Sequence, residues 1–152
     1  MVIDLINNKI QALYLTLFVS SCLLFQPIRS FEVSKNSDVL VLNKDNIASA
    51  IQQNEFIVIT FYAPWCPYSK EWLPKLEETA RILKKQKSNI VMARIDADSE
   101  ANSVVTEIYK IDGFPTILLF KKGSSNEYTG KRNPSQLIDW LKTWTKNDQQ
   151  KK

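Results

Sequence analysis

Residues 56–62 read FIVITFY, apolar at nearly every position and almost wholly β-branched or aromatic. A run without polar alternation predicts a strand buried on both faces. Val39–Leu42 and Ile90–Asp96 predict two further strands, and Pro115–Phe120 a fourth. Between them the apolar spacing changes to that of a helix. Leu73, Leu76, Ala80 and Leu83 share one face of a long helix beginning just after Trp65, and Pro74 inside it predicts a kink. Asn43 is placed to cap a short helix carrying Ile47, Ala50 and Ile51 on one side. A helix over 99–109 is expected to turn Val104, Val105, Ile108 and Tyr109 inward. Residues 122–126 predict a turn, with Glu127–Thr129 returning as an antiparallel strand. Asn133 caps a last helix, with Pro134 at its first position, Gln136 as capping-box partner, and Leu137, Trp140, Leu141 and Trp144 as its buried stripe. Residues 31–38 predict an irregular lead-in and the final KNDQQKK a frayed polar end. The order β-α-β-α-β-α-β-β-α predicts an α/β fold. Its central mixed sheet starts parallel, ends in an antiparallel hairpin and carries helices on both faces.

Upstream, Ala12 to Phe25 is an uncharged run, preceded by Lys9 and followed by Gln26, Pro27, Arg29 and Ser30. A cationic start, a short apolar core and a polar exit predict a secretory signal peptide over residues 1–30. An uncleaved membrane anchor is the alternative, although the run is short of the ~20 residues needed to span a bilayer. The expected organisation is therefore a signal peptide (1–30), one domain (31–146) and a polar tail (147–152). With 152 residues, 44% of them hydrophobic and 24% charged, the chain has the composition of one globular domain. The ending Gln149-Gln150-Lys151-Lys152 does not match the lumenal retention signals of the endoplasmic reticulum.

Composition narrows the chemistry sharply. The chain has no His, which removes a His general base, a Ser/His/Asp triad, a Cys/His dyad and any His-ligated metal. Its two cysteines, Cys22 and Cys66, cannot make a four-Cys zinc site or a multi-disulfide framework, so no metal is expected. Lys84, Lys85 and Lys87 are the densest basic cluster, and they read as a solvated helix end rather than a nucleic-acid footprint. Removal of residues 1–30 would leave Cys66 as the single cysteine. It follows a predicted strand and stands where a long helix begins. Unpaired N–H groups and the helix dipole there favour a thiolate, which is the form that attacks disulfides. Pro67, just inside the helix, gives up no needed hydrogen bond. Trp65 and Tyr68 flank the sulfur and can present apolar surface to an unfolded partner.

FYAPWCPYSK, the in-helix Pro74 and Gly113-Phe114-Pro115-Thr116 resemble the thioredoxin fold and, more closely, a catalytic domain of protein disulfide isomerases. The resemblance runs from about Val39 to Trp144. It implies that Cys66 is the attacking cysteine and that Pro115 is a cis-proline facing it. It also implies that Phe114 offers backbone groups to a substrate strand, with Trp65, Pro67 and Tyr68 lining the same site. Arg132 matches an arginine that tunes the active thiols of those enzymes.

Two positions depart from the family pattern. Ser69 stands where relatives carry the second, resolving cysteine, and Thr60 where they carry a buried acid. A hydroxyl can neither resolve a mixed disulfide nor form an internal one, and an acid serving a resolving thiol would have no task. The expected function is thus a protein disulfide isomerase-like thiol-disulfide oxidoreductase. It would act through one cysteine on cysteine-containing clients of the secretory pathway, in the endoplasmic reticulum lumen or secreted. One alternative is a non-catalytic, chaperone-like client-binding module. Another, from the Cys-Pro-Tyr string, is a glutathione-dependent monothiol glutaredoxin-like protein, the one reading that brings in glutathione. No nucleic-acid partner is expected, and a membrane only if the N-terminal segment stays uncleaved.

Overall fold

The computed structural model describes Glu32–Val33 and residues 37–149. The expected signal peptide lies outside the described residues. In chain order the elements are β1 (Glu32–Val33), β2 (Val39–Leu42), α1 (Ile47–Gln53), β3 (Phe56–Tyr62), α2 (Pro67–Lys85) and β4 (Ile90–Asp96). A single 3-10 turn (Glu100–Asn102), α3 (Ser103–Tyr109), β5 (Thr116–Lys121), β6 (Ser124–Glu127) and α4 (Pro134–Gln149) complete them. The strands form one mixed sheet in the order β1-β2-β4-β3-β5-β6. β2, β4 and β3 run parallel, whereas β1, β5 and β6 each run antiparallel to their neighbours.

β3 lies inside the sheet, paired to β4 from Phe56↔Ile90 to Tyr62↔Asp96 and to β5 on its other side. Its apolar run has two faces to fill. Phe56 and Val58 pack with Trp72, Leu76, Ala80 and Leu83 of α2 and with Leu137, Ile138 and Leu141 of α4. Ile57, Ile59 and Phe61 pack on the other face with Ile47 and Ala50 of α1 and Val105 of α3. Helices on both faces explain why both sets of alternate positions in β3 are largely apolar.

Several local expectations need correction. Glu32 and Val33 are not irregular: they pair with Val41 and Leu40 at the sheet edge. The Asn43 side chain accepts the N–H groups of Asp45 (2.9 Å) and Asn46 (3.1 Å), closing a turn before α1, so regular helix starts only at Ile47. The hairpin turn is Lys122-Gly123 alone, with φ of 50° and 84°, and pairing resumes at Lys121↔Ser124. Two consecutive left-handed residues match the twist of the flanking strands, which a longer loop would not need. The returning strand is therefore Ser124–Glu127 rather than 127–129, although the Tyr128 N–H still donates to the Ile117 carbonyl (2.9 Å).

The segment over 99–109 divides into the 3-10 turn and α3. Its inward stripe is Asn102, Val105 and the partly buried Tyr109, at spacings of three and four, so Val104 (46% exposed) and Ile108 (64%) face outward. At the start of α4, the Asn133 side chain accepts the Ser135 N–H (3.0 Å), while the Asn133 N–H donates to the Lys131 carbonyl instead of to Gln136. The cap is present and the reciprocal capping box is not. α2 continues through Pro74, and α4 runs to Gln149, into the expected tail. Trp72 and Ile138 are core residues that the predicted stripes omitted.

Candidate functional site

β3 ends at Tyr62, and three residues later the backbone turns sharply into α2. The Cys66 N–H donates to the Ala63 carbonyl (3.1 Å), and the Cys66 carbonyl accepts the Lys70 N–H (3.0 Å), the first bond of the helix. Cys66 is thus the N-cap, with extended backbone (ψ 122°), and Pro67 takes the first helical position, where a missing N–H costs nothing. The cysteine is 6% exposed and unpaired. Its thiol Sγ donates to the Phe114 carbonyl across the site, at 3.4 Å. Phe114 leads into buried Pro115 through a cis peptide bond.

The thiol's pKa is pulled below its ordinary value. The Ser69 N–H contributes most, and burial opposes it. The Ser69 hydroxyl, the Tyr68 N–H and the Arg132 charge follow in that order. Cys66 makes no tight side-chain cap of the oxygen type, so these N–H groups act on the large sulfur mainly through charge. Ser69 is fully buried, and its oxygen accepts the Ala63 N–H at 3.4 Å.

Around the sulfur the side chains are exposed. Trp65 (61% exposed) donates from Nε1 to Asp98 Oδ2 (2.8 Å) and meets the Phe114 ring edge-on at 6.3 Å. Tyr68 (64% exposed) lies 5.9 Å from the Arg132 guanidinium, whose Nη2 also donates to the Pro115 carbonyl (3.3 Å). Arg132 therefore stands at the site, although 66 positions of sequence separate it from Cys66. Thr60 is fully buried on β3, and its Oγ1 accepts the Trp72 indole N–H at 3.1 Å.

All the residues singled out from sequence meet here: Cys66 with Ser69, Phe114 and Arg132, Trp65 against Phe114, Tyr68 under Arg132, and Pro67 at the helix start. Two were missed. Asp98 carries no sequence signal, being one of several surface acids. Trp72 had a usable one, since it lies four residues before Leu76 on the same helical face. Among the described residues no group of three or more His, Cys, Asp or Glu is arranged to hold a metal, and no helix is long and apolar enough to cross a membrane.

A thioredoxin family model matches residues 38–143. The chain belongs to the thioredoxin family. The sheet order and the helices on both faces are the thioredoxin fold, as expected. The chain is 41% identical over 110 residues to protein disulfide-isomerase 1 of Caenorhabditis elegans, covering 72% of this chain and 22% of that one. Among solved structures, it is similar to the first thioredoxin domain of mouse protein disulfide-isomerase A4 (TM-score 0.67, 30% identity, 78% of this chain and 83% of that one). It is likewise similar to the zinc-bound form of human ERp44 (TM-score 0.63, 30% identity, 68% and 30%). The chain spans about a quarter or less of the curated relatives it matches, so the likeness is that of one thioredoxin domain with protein disulfide isomerase homology.

Proposed function

We propose that this domain is a protein disulfide isomerase-like thiol-disulfide oxidoreductase of the secretory pathway, working in the endoplasmic reticulum lumen or outside the cell through Cys66 alone. The Cys66 thiolate attacks one sulfur of a client disulfide. The Cys66–client S–S bond forms, the client S–S bond breaks, and the second client sulfur leaves as a thiolate. A client thiolate then attacks the client sulfur of this mixed disulfide, a new client disulfide forms, and Cys66 leaves as a thiolate. No net oxidation or reduction occurs, and no second protein thiol is needed. Glutathione can replace the client as the releasing thiol. The secretory assignment is supported by the Ala12–Phe25 run and by the disulfide isomerases among the relatives.

The single observation carrying this reading is a buried serine, Ser69, at the helix position of a resolving thiol, beside a thiol with a lowered pKa at the helix start. The test is refolding of a scrambled disulfide substrate. Wild-type protein is expected to speed it and Cys66→Ala to abolish the effect, whereas equal rates sink the proposal. The exposed Trp65 and Tyr68 favour a second reading, in which clients are retained as mixed disulfides on an apolar rim. Cys66-dependent adducts that persist on non-reducing gels, without faster refolding, would select it.

A further inference from the structure

We propose that the mouth of the Cys66 site is electrically polarised between Asp98 and Arg132, and that it selects extended client segments carrying an acidic residue on one side of their reactive cysteine and a basic residue on the other. The inference rests on the mixed-disulfide reading above and adds the client chemistry which that reading leaves open.

The sheet topology sets the two poles apart. β4 runs parallel to β3, and β6 runs the same way because β5 is antiparallel to both β3 and β6. All three strands therefore end at one end of the sheet, and each is followed by a part of the site: Asp98 after β4, Cys66 after β3 and Arg132 after β6. In the order β4-β3-β5-β6, the strand leading to the sulfur lies between the other two. β4 and β6 stand on the order of 14 Å apart, a span that about four residues of extended chain cover.

Both charges are exposed, yet both are held in place. Asp98 Oδ2 accepts the Trp65 indole N–H at 2.8 Å, and Trp65 in turn meets Phe114 edge-on. Arg132 donates from Nη2 to the Pro115 carbonyl at 3.3 Å and lies 5.9 Å from the Tyr68 ring. A carboxylate keeps further lone pairs and a guanidinium has five N–H groups, so each pole retains capacity for a ligand. Glu71 lies within the field of Arg132, but its charge is offset by Lys75 at 2.7 Å.

A client strand crossing the sulfur turns the residues two before and two after its cysteine to the same face as that cysteine. Those side chains meet the poles. Charges already fixed in position attract an opposite charge at little cost in entropy and repel a like one. A segment with the same charge on both flanks sets one of them against a like pole, whichever way it runs.

The experiment uses the full chain and short peptides whose one cysteine carries an uncharged thiopyridyl group. The flanking positions hold lysine and glutamate in either order, lysine at both, or glutamate at both. The Cys66 thiolate attacks the peptide sulfur, the Cys66–peptide S–S bond forms, the peptide–thiopyridyl S–S bond breaks, and the pyridine thiolate leaves and takes a proton from water. Intact mass follows the adduct, and a Cys66→Ala chain gives the background from Cys22. Wild type should take the mixed-charge peptide, in its better order, about three- to tenfold faster than either like-charge peptide, and added salt should narrow the gap. Arg132→Gln should remove the penalty on the double-lysine peptide and keep that on the double-glutamate one. Asp98→Asn, which retains an acceptor for the Trp65 N–H, should do the reverse. Ratios taken within one variant cancel any change in the reactivity of Cys66 itself. Equal rates for all the peptides overturn the inference, as does a preference that neither variant alters. Adducts with none of them would sink the mixed-disulfide reading and this inference with it, so the two failures are told apart.

Discussion

Thr60, Ser69 and Trp72, on the interior side of the site, are fully buried and uncharged, whereas Trp65, Tyr68, Asp98 and Arg132, around the sulfur, are exposed and include both signs of charge. The two layers work by different physics. A buried hydroxyl or indole must be paired, and once paired it is fixed in place and unscreened. An exposed charge costs little to place, but salt and water weaken it. The order of influences on Cys66 follows this division, with the Ser69 N–H first and Arg132 last. Stability should therefore depend on the interior layer, and Arg132 should act on the thiol without contributing much to the fold.

The sharpest way to break this contrast is Trp72→Ala. Removing a wholly buried indole from the face shared by α2 and α4 should cost ~3–5 kcal/mol, read by urea unfolding. A loss below ~1 kcal/mol, of the kind expected at the rim, would end the distinction. Thr60→Val keeps the shape but leaves the Trp72 N–H without its acceptor. Its expected cost is ~1–3 kcal/mol in a thermal melt, with an unchanged Cys66 alkylation profile. A profile that moves with Thr60 would place that hydroxyl in the chemistry.

Arg132→Ala should leave stability within ~0.5 kcal/mol of wild type. It should still raise the pH at which Cys66 alkylates, by less than Ser69→Ala does, and added salt should bring wild type toward the variant. An Arg132 effect larger than that of Ser69 would reverse the ranking of the two layers.

The smallest expected effect is on stability against pH. The folded-state thiol value lies below the ordinary 9.0, so the folded protein releases its proton first. The resulting stabilisation is absent below the lowered value, grows as pH rises from there toward 9.0, and is complete above it. Wild type should thus gain on Cys66→Ala across that interval, compared by urea midpoints at paired pH values. A difference that shrinks with rising pH would contradict the lowered value.

Much of the fold was legible in local pattern. Val39–Leu42, Phe56–Tyr62 and Ile90–Asp96 coincide with observed strands, because a strand buried on both faces leaves an unbroken apolar run. The misses share a cause. Val104 and Ile108 are as apolar as Val105, and which of them faces the sheet depends on how α3 is rotated against it. Ser124, Ser125 and Asn126 look like a loop until β5 supplies their hydrogen bonds. Glu32 and Val33 became a strand only because β2 lay free at the sheet edge.

The site divides in the same way. That Cys66 opens a helix after a buried strand, with a proline inside the first turn and a serine three residues on, is a matter of neighbours along the chain, so the residues alone determined it. Arg132 over Tyr68, Asp98 holding Trp65, the Phe114 carbonyl against the sulfur and the Trp72–Thr60 bond join distant or differently folded segments. Only the packed sheet and helices decided those pairings. Local spacing carries no information about which charge or carbonyl a remote loop will bring within a few ångströms.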